Sequence, residues 1–209
     1  MGLDRIPENQ QQQSDAGKLA EIGGWLFRRR TLIPVPFILA LLLVRTGEAR
    51  PSRLLMAAGI AVVTLGEALR LWGVHHIGVI SRTRSDRIGP LVVSGPFAYV
   101  RNPLYFGNIA LWVGFALSAR LVWMAPVIAV VLALEYHAIV RWEECLLDQR
   151  LGEPYRAYMN KVPRWIPRAG AGSSSGVASY RWRDTLFSER GTLIAIAVGY
   201  ALLWLKARS

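Results

Sequence analysis

Cysteine is almost absent: the 209 residues contain one, Cys145. A disulfide framework is therefore excluded, as is any zinc or iron–sulfur centre built from several thiolates. Acidic residues are scarce as well, 14 against 25 Lys plus Arg, and charged residues of both signs make up only 19% of the chain. A net charge of +11 on a soluble domain would suggest a nucleic-acid partner. Here the basic residues sit at the ends of uncharged apolar blocks, which argues against nucleic acid and for a membrane. No Gly-x-Gly-x-x-Gly follows a strand-like run, so nothing signals a dinucleotide fold. Met1 to Gly24 has no apolar stretch followed by a small-residue cleavage site, and with its Gln10 to Gln13 run it reads as a polar cytosolic tail.

What the chain does have is apolar residues, 53% of the total, gathered in blocks. Thr31 to Val44 is uncharged but at about 1.5 Å per residue reaches only about 21 Å, so Trp25 to Phe27 and snorkelling arginines have to extend it. Leu54 to Ile80 is long enough to span, although it carries Glu67, Arg70, His75 and His76, which need partners at that depth. Asn102 to Ala119 has no charge, and Leu121 to Val140 follows so closely that the two must form an antiparallel hairpin. Gly191 to Leu205 supplies a last apolar segment. The expectation is an all-α integral membrane protein with about five transmembrane helices. Its units are a polar tail at 1–24, a membrane core at 25–168, a Gly/Ser/Ala linker at 169–179, and a juxtamembrane segment with a C-terminal helix at 180–209. With the N-terminus inside, 18 of the 25 basic residues fall on the cytosolic side and six outside, Arg70 being within a span.

Two cytosolic segments concentrate the polar chemistry. The first runs Ser94-Gly-Pro-Phe-Ala-Tyr-Val-Arg-Asn-Pro-Leu-Tyr-Phe-Gly107. Its glycines and prolines hold off a helix until Pro103, which can be the first helical residue with Asn102 as its cap. Arg101 then lies just outside the positive helix end, beside free backbone N–H groups, where a carboxylate or phosphate could bind. An ordinary loop with a snorkelling arginine fits the same spacing. The second segment, Arg141 to Pro163, is amphipathic and basic, suited to a helix that leaves the bilayer and then lies on its surface. Glu143 and Glu144 stand on that positive flank and need a cation to hold, while Tyr155 and Tyr158, three apart, share one helix face.

Gly95-Pro96, Tyr99, Arg101, Pro103, Tyr105 and Gly107 are followed about forty residues later by Glu143-Glu144, Leu147, Gly152, Tyr155, Tyr158, Val162 and Pro163. This pair of motifs resembles the isoprenylcysteine carboxyl methyltransferase and phospholipid methyltransferase superfamily over Leu91 to Pro167. The family pattern Arg-His-Pro reads Arg101-Asn102-Pro103 here, which spares the cap but removes a ring nitrogen. The resemblance implies an integral-membrane enzyme that binds S-adenosylmethionine at the cytosolic face, in a pocket closed by the amphipathic segment and open sideways to lipid. In that reading Arg101 holds the acceptor's anionic group, and Glu143 or Glu144 binds near the cofactor or braces Arg101. Tyr99, Asn102, Pro103, Leu104, Tyr105, Tyr155 and Tyr158 line the pocket. The acceptor is a lipophilic small molecule or lipidated substrate, with an isoprenylcysteine-like carboxylate first. A phospholipid amine or a small thiol is the alternative, and for an amine Glu144 or His137 would serve as base. An NADPH-dependent sterol-type reductase and a non-catalytic lipid-binding subunit are the rivals from other classes.

The remaining features suit structural roles. Glu67 and Arg70 can pair with each other or with another helix. His75-His76 diverge on a helix and make a poor metal site, and Gly172-Ser-Ser-Ser-Gly176 matches the nucleophile-elbow expression only inside a linker.

Overall fold

A computed structural model describes residues 8–83, 91–168 and 180–208, so the 169–179 linker lies outside the described residues. Among the described residues seven α-helices follow one another: α1 (Glu8–Arg29), α2 (Pro34–Leu43), α3 (Arg53–Thr83), α4 (Pro103–Ser118), α5 (Met124–Leu151), α6 (Glu153–Lys161) and α7 (Trp182–Arg208), with a 3-10 turn at Gly95–Ala98. Among the described residues there is no strand. Three helices are long and apolar enough to cross a membrane, Arg53–Gly78 of α3, α5 and α7, while α2 and α4 are shorter apolar helices. Large apolar side chains stand fully outward on these helices, among them Leu65, Leu134 and Ile194, as lipid-facing positions do. The protein is an all-α integral membrane protein.

The first apolar block departs from expectation. Residues 8–24 of the anticipated tail are helical and continue through Arg29 as α1, which packs along α5. Its Gln, Glu, Lys and Ala residues favour helix, and Gly23 and Gly24 let it approach so closely that a Cβ on Gly23 would stand 2.0 Å from the Ala138 carbonyl oxygen. Pro34 and Pro36 then break the chain, so Thr31 to Val44 is a turn plus the ten-residue α2, about 15 Å long and about half a ~30 Å bilayer core.

The centre of the bundle is the antiparallel contact of α3 with α4. Gly59 meets Gly114, and seven residues further along α3 Gly66 meets Gly107. A Cβ on Gly66 would lie 2.8 Å from the Gly107 carbonyl oxygen, so only glycine allows this spacing. Beside it, Arg70 of α3 is saturated: it bonds Glu67 at 3.2 Å, Glu189 of α7 at 2.7 Å, Thr192 at 3.2 Å and Asn108 of α4. The expected pairing of Glu67 with Arg70 is present and reaches a second helix. Between α4 and α5 the chain turns at Ala119 to Trp123, giving the expected hairpin, and α5 then runs unbroken to Leu151. Gly152, at φ +60°, ends α5, and Pro154 begins α6.

The other end of the bundle is tied by one carboxylate. Glu48, in the α2–α3 loop, bonds Arg120 and lies 2.9 Å from Lys206 near the end of α7. Lys206 also donates to the Leu41 and Val44 carbonyls at 2.9 and 2.7 Å. His75 and His76 diverge as expected: His75 stacks on Trp182 at 4.0 Å, and His76 bonds Ser94 at 3.1 Å.

Candidate functional site

Where α6 folds back on the α3–α4 loop, the helices enclose a cavity of about 400 Å³, within the range of small-molecule sites. Its walls are largely aliphatic and aromatic, with Phe27, Leu104, Trp142 and Leu147 among them, and Arg30, Arg70, Arg101, Asn108, Glu143 and Glu144 supply its polar groups.

One carboxylate organises the cytosolic-segment wall. Glu144 accepts from Arg101 Nη1 at 3.0 Å and from Arg164 through Nε at 3.0 Å and Nη2 at 2.6 Å. Two guanidiniums thus share one buried anion, a charge-assisted arrangement with fixed planes. The backbone makes the same junction: the Arg101 N–H donates to the Pro163 carbonyl at 3.0 Å, and Asn102 Nδ2 donates to the Arg164 carbonyl at 3.2 Å. Arg101 Nε is buried with no hydrogen-bond partner among the described residues. A buried donor left unmet is costly, and this one belongs to a side chain on the cavity wall.

α6 closes this wall with its aromatic face. Tyr155 and Tyr158 are both buried, with ring centroids 6.1 Å apart, and the Tyr158 hydroxyl donates to the Phe97 carbonyl at 2.9 Å. Burial pushes both phenols well above their ordinary range, with Glu144 adding to the effect, so they stay protonated donors. Across the cavity Glu143 accepts from the Tyr105 hydroxyl at 3.0 Å and makes no ion pair among the described residues.

Of the ten residues singled out in the sequence, nine line this cavity: Arg101, Asn102, Pro103, Leu104, Tyr105, Glu143, Glu144, Tyr155 and Tyr158. Tyr99 does not. The 3-10 turn sends Phe97 and Val100 inward and leaves Tyr99 44% exposed, 6.3 Å from the ring of Trp72. Asn102 does occupy the cap position of α4, but its side chain makes no capping bond, being drawn away to Arg164. His137 is outside the cavity, and its Nδ1 accepts from Trp165 Nε1 at 3.2 Å. Glu144 is engaged by two guanidiniums, those of Arg101 and Arg164.

The sequence pattern described as phospholipid methyltransferase matches residues 54–153, a span that holds the α3–α4–α5 core and both glutamates. The cobalt-zinc-cadmium resistance protein CzcN of Cupriavidus metallidurans is 30% identical over 161 residues, 73% of this chain and 70% of that protein. The chain belongs to the isoprenylcysteine carboxyl and phospholipid methyltransferase superfamily. The rat protein-S-isoprenylcysteine O-methyltransferase is 32% identical over 129 residues, 57% of this chain and 44% of that enzyme. The nickel-cobalt-cadmium resistance protein NccN of Alcaligenes xylosoxydans xylosoxydans is 31% identical over 117 residues, 56% of this chain and 52% of that protein. The chain therefore spans about half the length of two of these relatives. No solved structure matches.

As a membrane methyltransferase-family protein, the chain departs from its motif pair in what completes the cavity. Arg164 lies just past the second motif and carries most of the contact to Glu144. Its signal in the sequence is slight, a basic residue after Pro163. Arg70 and Asn108 form the floor, and their meeting depends on the glycine contact of α3 with α4. Arg30 enters from the turn just after α1, outside the matched region.

Proposed function

We propose that this protein is an S-adenosylmethionine-dependent methyltransferase acting on a lipophilic acceptor at the cytosolic face. The carrying observation is the buried, unpartnered Nε of Arg101 on the wall of a cavity built by both motifs. Such a donor suits a carboxylate, and the cavity's aromatic and aliphatic walls suit an adenosyl moiety. When bound, S-adenosylmethionine supplies a methyl group on a sulfonium, which an acceptor lone pair takes in line as the carbon–sulfur bond breaks. The protein's own part is alignment and exclusion of water. Arg101, held in plane by Glu144 and Arg164, grips a carboxylate. Its place behind α6 favours the cofactor's carboxylate over the acceptor's, to which the motif alone assigned it. Tyr155 and Tyr158 keep that wall dry.

The acceptor is an isoprenylcysteine-like carboxylate, a reading supported by the likeness to isoprenylcysteine O-methyltransferases. A carboxylate attacks without losing a proton, so no base is needed. A phospholipid amine is the second reading, favoured by the family description and by Glu143, the one cavity carboxylate without an ion pair among the described residues. Glu143 would then take the proton that the ammonium must lose before its nitrogen can attack, in place of Glu144 or His137. In either case the N-terminus and the cavity mouth face the cytosol, as the basic excess there requires.

Calorimetric titration of the detergent-purified protein with S-adenosylmethionine and with NADPH tests the proposal. Binding of the first, with a raised melting temperature, is expected. Binding of NADPH alone sinks it in favour of a reductase, and binding of neither leaves a lipid-binding subunit.

A further inference from the structure

The cavity holds three guanidiniums whose circumstances differ. Arg70 is consumed by Glu67, Glu189, Thr192 and Asn108. Arg101 is clasped by Glu144 and sits beneath α6. Arg30 is exposed in the turn just past α1 and makes no ion pair among the described residues, although its charge acts on Glu143 and Tyr105. Its guanidinium carbon rests 3.9 Å from the centroid of the Phe27 ring, and Phe27 is itself held against Trp142 of α5 at 4.8 Å. An arginine parked on an aromatic face keeps its hydrogen-bonding edge free for an oxyanion. All three of Arg30, Phe27 and Trp142 line the cavity.

Location decides what that oxyanion belongs to. Arg30 is followed by the turn into α2, whose Leu32, Val35, Ile38, Leu39 and Leu43 are exposed as lipid-facing side chains are. Arg30, exposed and on the cavity wall, therefore lies next to this apolar outer surface. Arg101 stands on a different wall, joined to Pro163 and Glu144.

We propose that Arg30 is a specificity-determining residue that captures the oxyanion of a lipid acceptor at the cavity mouth, leaving Arg101 to the cofactor. The inference rests on the methyltransferase reading and adds the acceptor's chemistry: an apolar chain bearing a carboxylate or phosphodiester. Arg30 lies outside residues 54–153 matched by the family pattern, so the two motifs do not themselves supply it.

The test uses the full chain in detergent, as parent, Arg30→Ala, Arg30→Lys and the control Arg29→Ala, whose guanidinium stacks on Trp25 away from the cavity. Methyl-transfer kinetics are read with an S-farnesylcysteine analogue and with phosphatidylethanolamine, and S-adenosylmethionine affinity is read by calorimetry. Arg30→Ala should raise the acceptor KM roughly tenfold or more, the scale of a lost charge-assisted pair, with Arg30→Lys in between. Cofactor affinity and the Arg29 control should stay at the parent level. The acceptor whose KM moves names the oxyanion as carboxylate or phosphodiester, and a KM unmoved for both overturns the proposal. A parent that transfers no methyl group removes the proposed function while leaving a binding arm to decide Arg30. In that arm the farnesylcysteine acid and its uncharged amide are compared by intrinsic tryptophan fluorescence. Preference for the acid in the parent, lost in Arg30→Ala, supports the capture, and equal preference in both proteins refutes it.

Discussion

Glu144 and Glu143 are neighbours in the chain and opposites in chemistry. One carries two guanidiniums and has no freedom to act, while the other receives a single phenol and faces the cavity. Removing the charge of Glu144 strands Arg101 and Arg164 together, and breaking a buried ionic group in this way costs about 3 kcal/mol. Glu144→Gln should therefore lower the melting temperature of the detergent-purified protein and weaken S-adenosylmethionine binding together. Glu143→Gln, which keeps a hydrogen bond to Tyr105, should leave the stability within about 0.5 kcal/mol of the parent. Arg164→Ala should reproduce part of the Glu144 effect, because Glu144 retains Arg101. Equal melting curves for Glu144→Gln and the parent would show that the clasp carries no stability.

Elements are joined here by close approach, and the cost of disturbing them follows from what a side chain would meet. Gly66→Ala sets a methyl 2.8 Å from the Gly107 carbonyl oxygen, so α3 and α4 must part along their length. Overpacking of this kind costs about 1–3 kcal/mol. It also moves Arg70 and Asn108, the cavity floor, so the variant should lose cofactor affinity, read by calorimetry, as well as stability. Gly17→Ala, with nothing within 4 Å, is the matched control. At the opposite end Glu48 makes a pH-sensitive tie. Its hydrogen bond with Lys206 holds its carboxyl below the usual range, helped by the charges of Lys206, Arg120 and Arg45 and opposed by burial. A lowered carboxylate stabilises the fold above the unfolded value near 4.3, and that contribution disappears as pH falls through the folded value. Thermal unfolding of the parent should therefore show a loss below about pH 4.3 that Glu48→Gln does not share, the variant being the less stable of the two at neutral pH. Parallel pH profiles would remove Glu48 from the account.

At the scale of the whole molecule, the apolar blocks and the two motifs were readable because each is local. Uncharged runs mark helices, and Gly152, Pro154 and Pro163 punctuate α5 and α6. Tyr155 and Tyr158 share a face by spacing alone. What the sequence did not yield depends on meetings between distant segments. Arg164 reaches Glu144 only because α6 folds back, and Arg70 bonds Asn108 only because two pairs of glycines close the gap. Tyr99 falls outside the cavity because the 3-10 turn before it turns its side chain outward, a direction that spacing does not encode. Orientation across the bilayer is a property of the entire chain, and the single cysteine provides the means to test it. Cys145 is exposed and follows Glu144 directly, so it reports the side of the membrane on which the cavity opens. The excess of basic residues from Arg141 to Arg168 makes the cytosol the expected side. A membrane-impermeant maleimide should then label Cys145 in inside-out vesicles and spare it in right-side-out ones. A Cys145→Ser protein carrying Thr46→Cys, in the loop at the far end of the bundle, should give the reverse pattern. Labelling of Cys145 from outside would turn the molecule over, and a cavity that opens away from the cytosol would have no supply of the cofactor proposed for it.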